Sequence, residues 1–134
     1  MSLFSETIVG QVLGTLKASA PLVALVSGVY DHVPQEEVFP YVKIGELVET
    51  EQNTDDAEQN AAVSLTIHCY SRHQGRKEVH AIQLEINRAL HRAPLAQAGF
   101  KFLTIDHVQS QSFTDADGLT RHGVSEFNIL ITEA

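Results

Sequence analysis

Val29-Tyr-Asp-His-Val-Pro-Gln-Glu-Glu-Val-Phe-Pro-Tyr-Val-Lys-Ile-Gly45 fits a short extended piece, a proline-bounded loop and a second strand into seventeen residues. Pro40 drives Phe39 to extended backbone and donates no ladder hydrogen bond, so Phe39-Pro40-Tyr41 marks where the second strand begins. From there Pro40–Thr50 alternates, with Tyr41, Lys43 and Gly45 opposed to Val42 and Ile44, which is the period of a strand. The triplet Tyr30-Asp31-His32 has two readings: the corner of an active site, or a rigid edge for another protein to grip. Spacing alone does not choose between them.

Working outward, Ala62–Ser71 is the strongest strand, with Val63, Leu65, Ile67 and Cys69 on one face and Ser64, Thr66, His68 and Tyr70 on the other. Upstream, Ile8, Val12, Leu13 and Leu16 make one apolar stripe of a helix, with Ser5 as its N-cap and Glu6 in its first turn. Ser19-Ala20-Pro21 interrupts, and a short helix Pro21–Val26 follows, closed by Gly28. Downstream, Gly75–Arg92 is helical, with Val79, Ile82, Ile86 and Leu90 inward, Leu84 off the stripe, Glu85 able to pair with Arg88, and Pro94 as the stop. Phe100–Phe113 and Leu119–Thr132 form a hairpin about Asp117-Gly118. Its second strand carries Val124, Phe127, Ile129 and Ile131, and the change of phase near Glu126 suggests a bulge. The order is α-α-β-β-β-α-β-β in one domain over residues 1–134. The fold class is α+β, a mainly antiparallel sheet of four to five strands with helices packed on one face.

Length and composition agree with one core: 134 residues, 43% apolar and 19% charged. No window approaches the roughly 20 apolar residues that span a bilayer. The start Met1–Glu6 lacks a signal peptide's basic opening and cleavage site, so cytoplasmic synthesis is expected. Net charge is −8, a surface that repels phosphate backbones. Glu46, Glu49, Glu51, Asp55, Asp56 and Glu58 fall within thirteen residues free of Lys and Arg. That run reads as a solvated loop, or as a negative band on one face or in the lumen of a ring.

Chemistry is sparse. Seven histidines show no His-x-His, His-x₃-His or His-Glu-x-x-His spacing, so neither metal nor cofactor is expected. His68 and His122 could still meet across a sheet. Asp31 and His32 would serve as a general base with its orienting acid only beside a nucleophile, and adjacent residues of an extended chain point apart. Asp115-x-Asp117-Gly118 lacks the remaining ligands of a calcium loop and reads as a turn. Cys69 is a lone thiol in an apolar strand and reads as structural. The basic cluster Ser71-Arg72-His73-Gln74-Gly75-Arg76-Lys77 is either a capping loop or a contact for acidic groups on a neighbouring subunit.

The words Val29-Tyr30-Asp31-His32-Val33-Pro34, Phe39–Gly45 and Tyr70-Ser71-Arg72 before Gly75, in this order of elements, resemble the tail completion, or tail terminator, proteins of siphophage-like tails and gene transfer agents. Many relatives have Trp where this chain has Tyr70. The resemblance implies a non-enzymatic structural protein made in the cytoplasm and incorporated at the head–tail junction of a phage-like particle. Its subunits would form a ring, typically hexameric, that ends polymerisation of the tail tube and presents a surface to the head–tail connector. The partners implied are other copies, the tail tube protein and the connector, with DNA only a passing strand and no membrane. The matching positions Tyr30, Asp31, His32, Phe39, Pro40, Tyr41, Ser71, Arg72 and Gly75, with Arg76 and Lys77 beside them, would shape the subunit or partner contact. Rival readings are a head–tail connector or stopper, and a small ligand-binding or enzymatic α+β domain using Asp31, His32 and His68.

Overall fold

A computed structural model describes residues 4–35, 38–51 and 60–133. The elements run α1 (Ser5–Lys17), α2 (Ala20–Leu25), β1 (Gly28–Tyr30), β2 (Tyr41–Glu51), β3 (Asn60–Ser71), α3 (Lys77–Leu90), β4 (Phe100–Thr114) and β5 (Arg121–Glu133). This is the expected order. They build one five-stranded sheet in the order β1-β2-β3-β5-β4. Only the β1–β2 pair is parallel; the other three are antiparallel.

β3 shows why the sheet has two different faces. Ala61, Val63, Leu65, Ile67 and Cys69 are buried while the residues between them are half-exposed, because successive side chains of a strand point to opposite faces. Opposite β3, β5 turns Gly123, Ser125, Phe127, Ile129 and Ile131 to the same side. The stripe Val79, Ile82, Ile86 and Leu90 of α3 closes on it, as do Ile8, Val12 and Leu16 of α1 and Leu22 of α2. The helices therefore cover one face and leave the other without helical cover.

Several local readings change. Phe4, not Ser5, precedes α1; Ser5 is its first residue, and its hydroxyl donates to Glu49 at 3.1 Å. The second helix starts at Ala20, capped by Ser19, whose Oγ accepts from the Leu22 N–H, and places Pro21 inside its first turn. Gly28 does not close that helix. It opens β1, where the Tyr30 ring lies over it in the space a Cβ would need. α3 is shorter than read and ends at Leu90, before Pro94 acts, because Arg92 turns to φ 57° and its N–H goes to Ile105 O. The expected Glu85–Arg88 pair forms at 3.0 Å, and Leu84 is exposed.

The bulge expected near Glu126 is not in β5, whose burial alternates from Gly123 to Ile131 and which pairs with β3 without a shift. Val124 instead takes the opposite face from Phe127. The irregularities lie in β4, between Phe102 and Thr104 and between His107 and Gln109, the latter opposite Phe127 and Glu126. An apolar residue on the second face of β5 mimicked a phase change that belongs to its partner strand. Asn60, read as loop, begins β3, and the remainder of the Asn53–Asn60 reading, with Asp55, Asp56 and Glu58, lies outside the described residues.

Phe127→Ala should lower unfolding stability by about 3–5 kcal/mol, the cost of emptying a fully buried aromatic site, read from urea midpoints. Ser19→Ala should cost about 1 kcal/mol by the same measurement, through loss of the α2 cap.

Candidate functional site

On the helix-free face, one row of cross-strand partners is aromatic from β2 through to β4. Tyr41 pairs with Tyr70, Tyr70 with His122, and His122 with Phe113. Successive ring centroids lie 4.9, 4.4 and 4.7 Å apart. Phe39 and Tyr30 extend the row at 5.2 and 6.1 Å from Tyr41, and the Phe39–Pro40 bond is cis. The Arg72 guanidinium lies 4.3 Å above the Phe39 ring. Each such aromatic pair contributes about 0.5–1.5 kcal/mol beyond area burial. Burial, followed by the proximity of Tyr41, pushes the Tyr70 phenol up to about 12. Tyr30, Phe39 and Tyr41 thus converge as one rigid patch, whereas Asp31 and His32 stay exposed in the loop after β1.

Beside this row runs a polar chain that sequence spacing only hinted at. Glu46 Oε2 lies 2.9 Å from His68 Nε2, His68 Nδ1 lies 2.7 Å from His122 Nε2, and His122 Nδ1 lies 3.0 Å from Asp115 Oδ1. An ionised carboxylate only accepts. The two central nitrogens aim at each other rather than at a shared point, which is not the geometry of metal ligands. Among the described residues no group of three potential ligands converges. The chain fastens β2, β3, β5 and the β4–β5 turn together.

Glu46 reaches His68 because β2 shifts register between Ile44 and Leu47. A Cβ on Gly45 would run into the His68 ring and Thr66 Oγ1, so glycine is what lets the ring lie down over β2. The Thr66 hydroxyl donates to the Glu46 carboxylate. That bond first, and the His68 contact second, hold the Glu46 carboxyl down at about 2. Sequence could place neither Glu46 nor Asp115, since neither is near a histidine along the chain.

The strand–helix junction is a braced loop. Ser71 Oγ donates to Glu78 Oε1 at 2.6 Å and accepts from the His73 N–H at 3.1 Å. Arg72 Nε donates to Thr120 Oγ1 at 3.3 Å, and Arg121 reaches Gln74 O at 2.7 Å. Asp117 accepts from the Thr120 N–H and hydroxyl and from the Leu119 N–H, bonds that hold its carboxyl at about 2. Arg72 is therefore tied to the β4–β5 turn and Phe39, while Arg76 and Lys77 stand exposed at the start of α3. Of the acidic run, Glu49 accepts from Ser5 and Glu51 is exposed at the end of β2. Cys69 is fully buried, and burial pushes its thiol up to about 12, as befits a packing residue.

Acid should loosen this face in a defined window. Glu46 titrates near 4.5 when unfolded and near 2 when folded, so its stabilisation is complete above about 4.5 and lost as pH falls toward 2. Wild-type urea midpoints should fall between those values, and Glu46→Gln should flatten that limb. Asp117, held at about 2 against an ordinary 3.8, adds a limb that begins lower, as pH falls below about 3.8, so Asp117→Asn should remove a separate share and the double variant both.

The chain matches known proteins over most of its length. The profile of the family described as Tail completion protein gp17 matches residues 10–132. The tail completion protein gp17 of Bacillus phage SPP1 is 28% identical over 116 residues, covering 87% of this chain and 85% of that protein. Among solved structures, a chain of the virion of a native gene transfer agent particle superposes with a TM-score of 0.90 over the full length of both, at 20% identity, a likeness of fold. The chain belongs to the tail completion protein gp17 family and is a structural component of a phage-like tail.

Proposed function

We propose that this protein acts as a ring, hexameric in the simplest case, that caps the head-proximal end of a tail tube, ends its polymerisation and offers the surface to which the head connector attaches. The family match over residues 10–132 carries the proposal. The geometry supports it. The recognisable words of the sequence fold into a rigid patch at one end of the sheet, formed by Tyr30, Phe39 and Tyr41 with the junction Ser71, Arg72, Arg76 and Lys77. Its aromatic and polar groups are largely satisfied by one another. Such a patch meets a partner with little ordering entropy left to lose. Arg76 and Lys77 supply its exposed positive charge, and Asp31 and His32 its exposed loop.

DNA enters only as a passing strand in this reading. Glu46, Asp106, Asp115 and Glu126 lie on or beside the helix-free face, and the chain carries net charge −8. Were that face to line the lumen, like charge would keep the strand from sticking.

Light scattering across concentration, with and without the tail tube protein, tests the function. The expected result is a closed oligomer, or one formed only on the tube end, with tube growth arrested. A monomer that ignores the tube would sink the proposal. Arg76→Glu with Lys77→Glu should weaken tube capping about tenfold, the equivalent of roughly 1.4 kcal/mol, without changing the urea midpoint.

A further inference from the structure

The two edges of the sheet carry opposite charge at the same height. At the β2 edge, β1 pairs only with Tyr41–Lys43, and beyond it the strand has β3 as its ladder partner among the described residues. Glu49, half-buried and accepting from Ser5 of α1, and the exposed Glu51 sit there, in register with Val63 and Ala61, and so project to the helix-covered side. At the β4 edge stand Arg88, Arg92 and Lys101, three of the chain's nine Lys and Arg residues. Arg88 lines a depression with Asn87, His91 and His107. Arg92 binds Ile105 O through its N–H at 2.8 Å.

The rows coincide. Glu49, Val63, Ile129 and Ile105 form one line across the sheet, and Glu51, Ala61, Ile131 and Phe102 form another. Arg92 is fastened to the first line, while Lys101, in register with Thr132 beside the second, projects to the helix-free face. Arg88 and Arg92 already have partners, Glu85 at 3.0 Å and Asp106 at 3.7 Å, yet their side chains are 67% and 80% exposed. Three of the β4 ladder groups are themselves taken: Ile105 O by Arg92, the His107 N–H by His91 Nδ1 at 3.1 Å, and Gln111 O by Gln83 at 2.8 Å. Between Ile105 and Gln111 a neighbour at this edge meets charged side chains and ladder groups already in use.

We infer that the β2 edge of one copy, through Glu49 and Glu51, docks against Arg88 and Arg92 at the β4 edge of the next. The contact is head-to-tail, and it joins two different surfaces, the kind of contact that makes rings when the rotation closes. Two copies related by a two-fold at the β2 edge would set acid against acid, which disfavours that dimer. The inference rests on the ring proposed above and assigns its lateral contact, leaving the Arg76–Lys77 end of the sheet for tube or connector.

Charge exchange tests it. Glu49→Lys with Glu51→Lys, and separately Arg88→Glu with Arg92→Glu, should each weaken oligomerisation at least about tenfold at low salt, with circular dichroism unchanged. Combining all four in one chain should restore assembly, because the exchanged edges attract again, and native mass spectrometry should show few mixed rings with wild type. Wild-type oligomers that the double variants still form equally well would overturn the edge assignment alone. So would a folded fourfold variant that stays monomeric. A wild type that never oligomerises, alone or on the tube, would overturn the ring itself.

Discussion

The ladder between β3 and β5 is the constraint on which every other placement depends. It runs from Asn60–Thr132 to Ser71–Arg121 without a shift. A slip of one residue would turn Val63, Leu65 and Ile67 to the open face and Ser64, Thr66 and His68 to the core. With the register held, the two strands share a fully buried face that both long helices cover. The same register sets Tyr70 beside His122 and His68 beside Val124 on the other face. Core and open surface are therefore two consequences of one pairing.

Two glycines show how tightly this ladder is drawn. A Cβ on Gly123 would come within 2.6 Å of Cys69 Sγ and 2.8 Å of Gln83 Nε2, on the core side. Gly45 plays the corresponding part on the open side, beneath His68. Gln83 is also the residue that bonds Gln111 O at the β4 edge, so close packing at Gly123 and protection of that edge come from one side chain. Together with His91 and Arg92 it occupies ladder groups that an exposed fifteen-residue strand would otherwise offer to other chains.

A structural tail component needs defined surfaces rather than a reactive centre, and the side-chain chemistry fits that need. Glu46, His68, His122 and Asp115 of the open face are spent on one another, and the thiol is buried among core residues. The open face is consequently held in shape by bonds between strands that ordinary packing would leave independent. Further exposed charge sits at the sheet edges and at the start of α3.

Local pattern alone determined the order of the elements, the buried faces of β3 and α3, the hairpin at Asp117-Gly118 and the family words around Tyr30, Phe39 and Tyr41. Periodicity and proline and glycine chemistry act over a few residues, so they are written in the sequence directly. Helix ends were less legible, because Ser19, Arg92 and Phe4 act through cap geometry that several residue types satisfy. Only the tertiary structure decided that Glu46, His68, His122 and Asp115 form one chain, that Arg72 is held by Phe39 and Thr120, and that Glu49 and Arg92 share a row. Those residues lie up to 69 positions apart in the chain. They meet through strand register and a bulge, which no local spacing encodes.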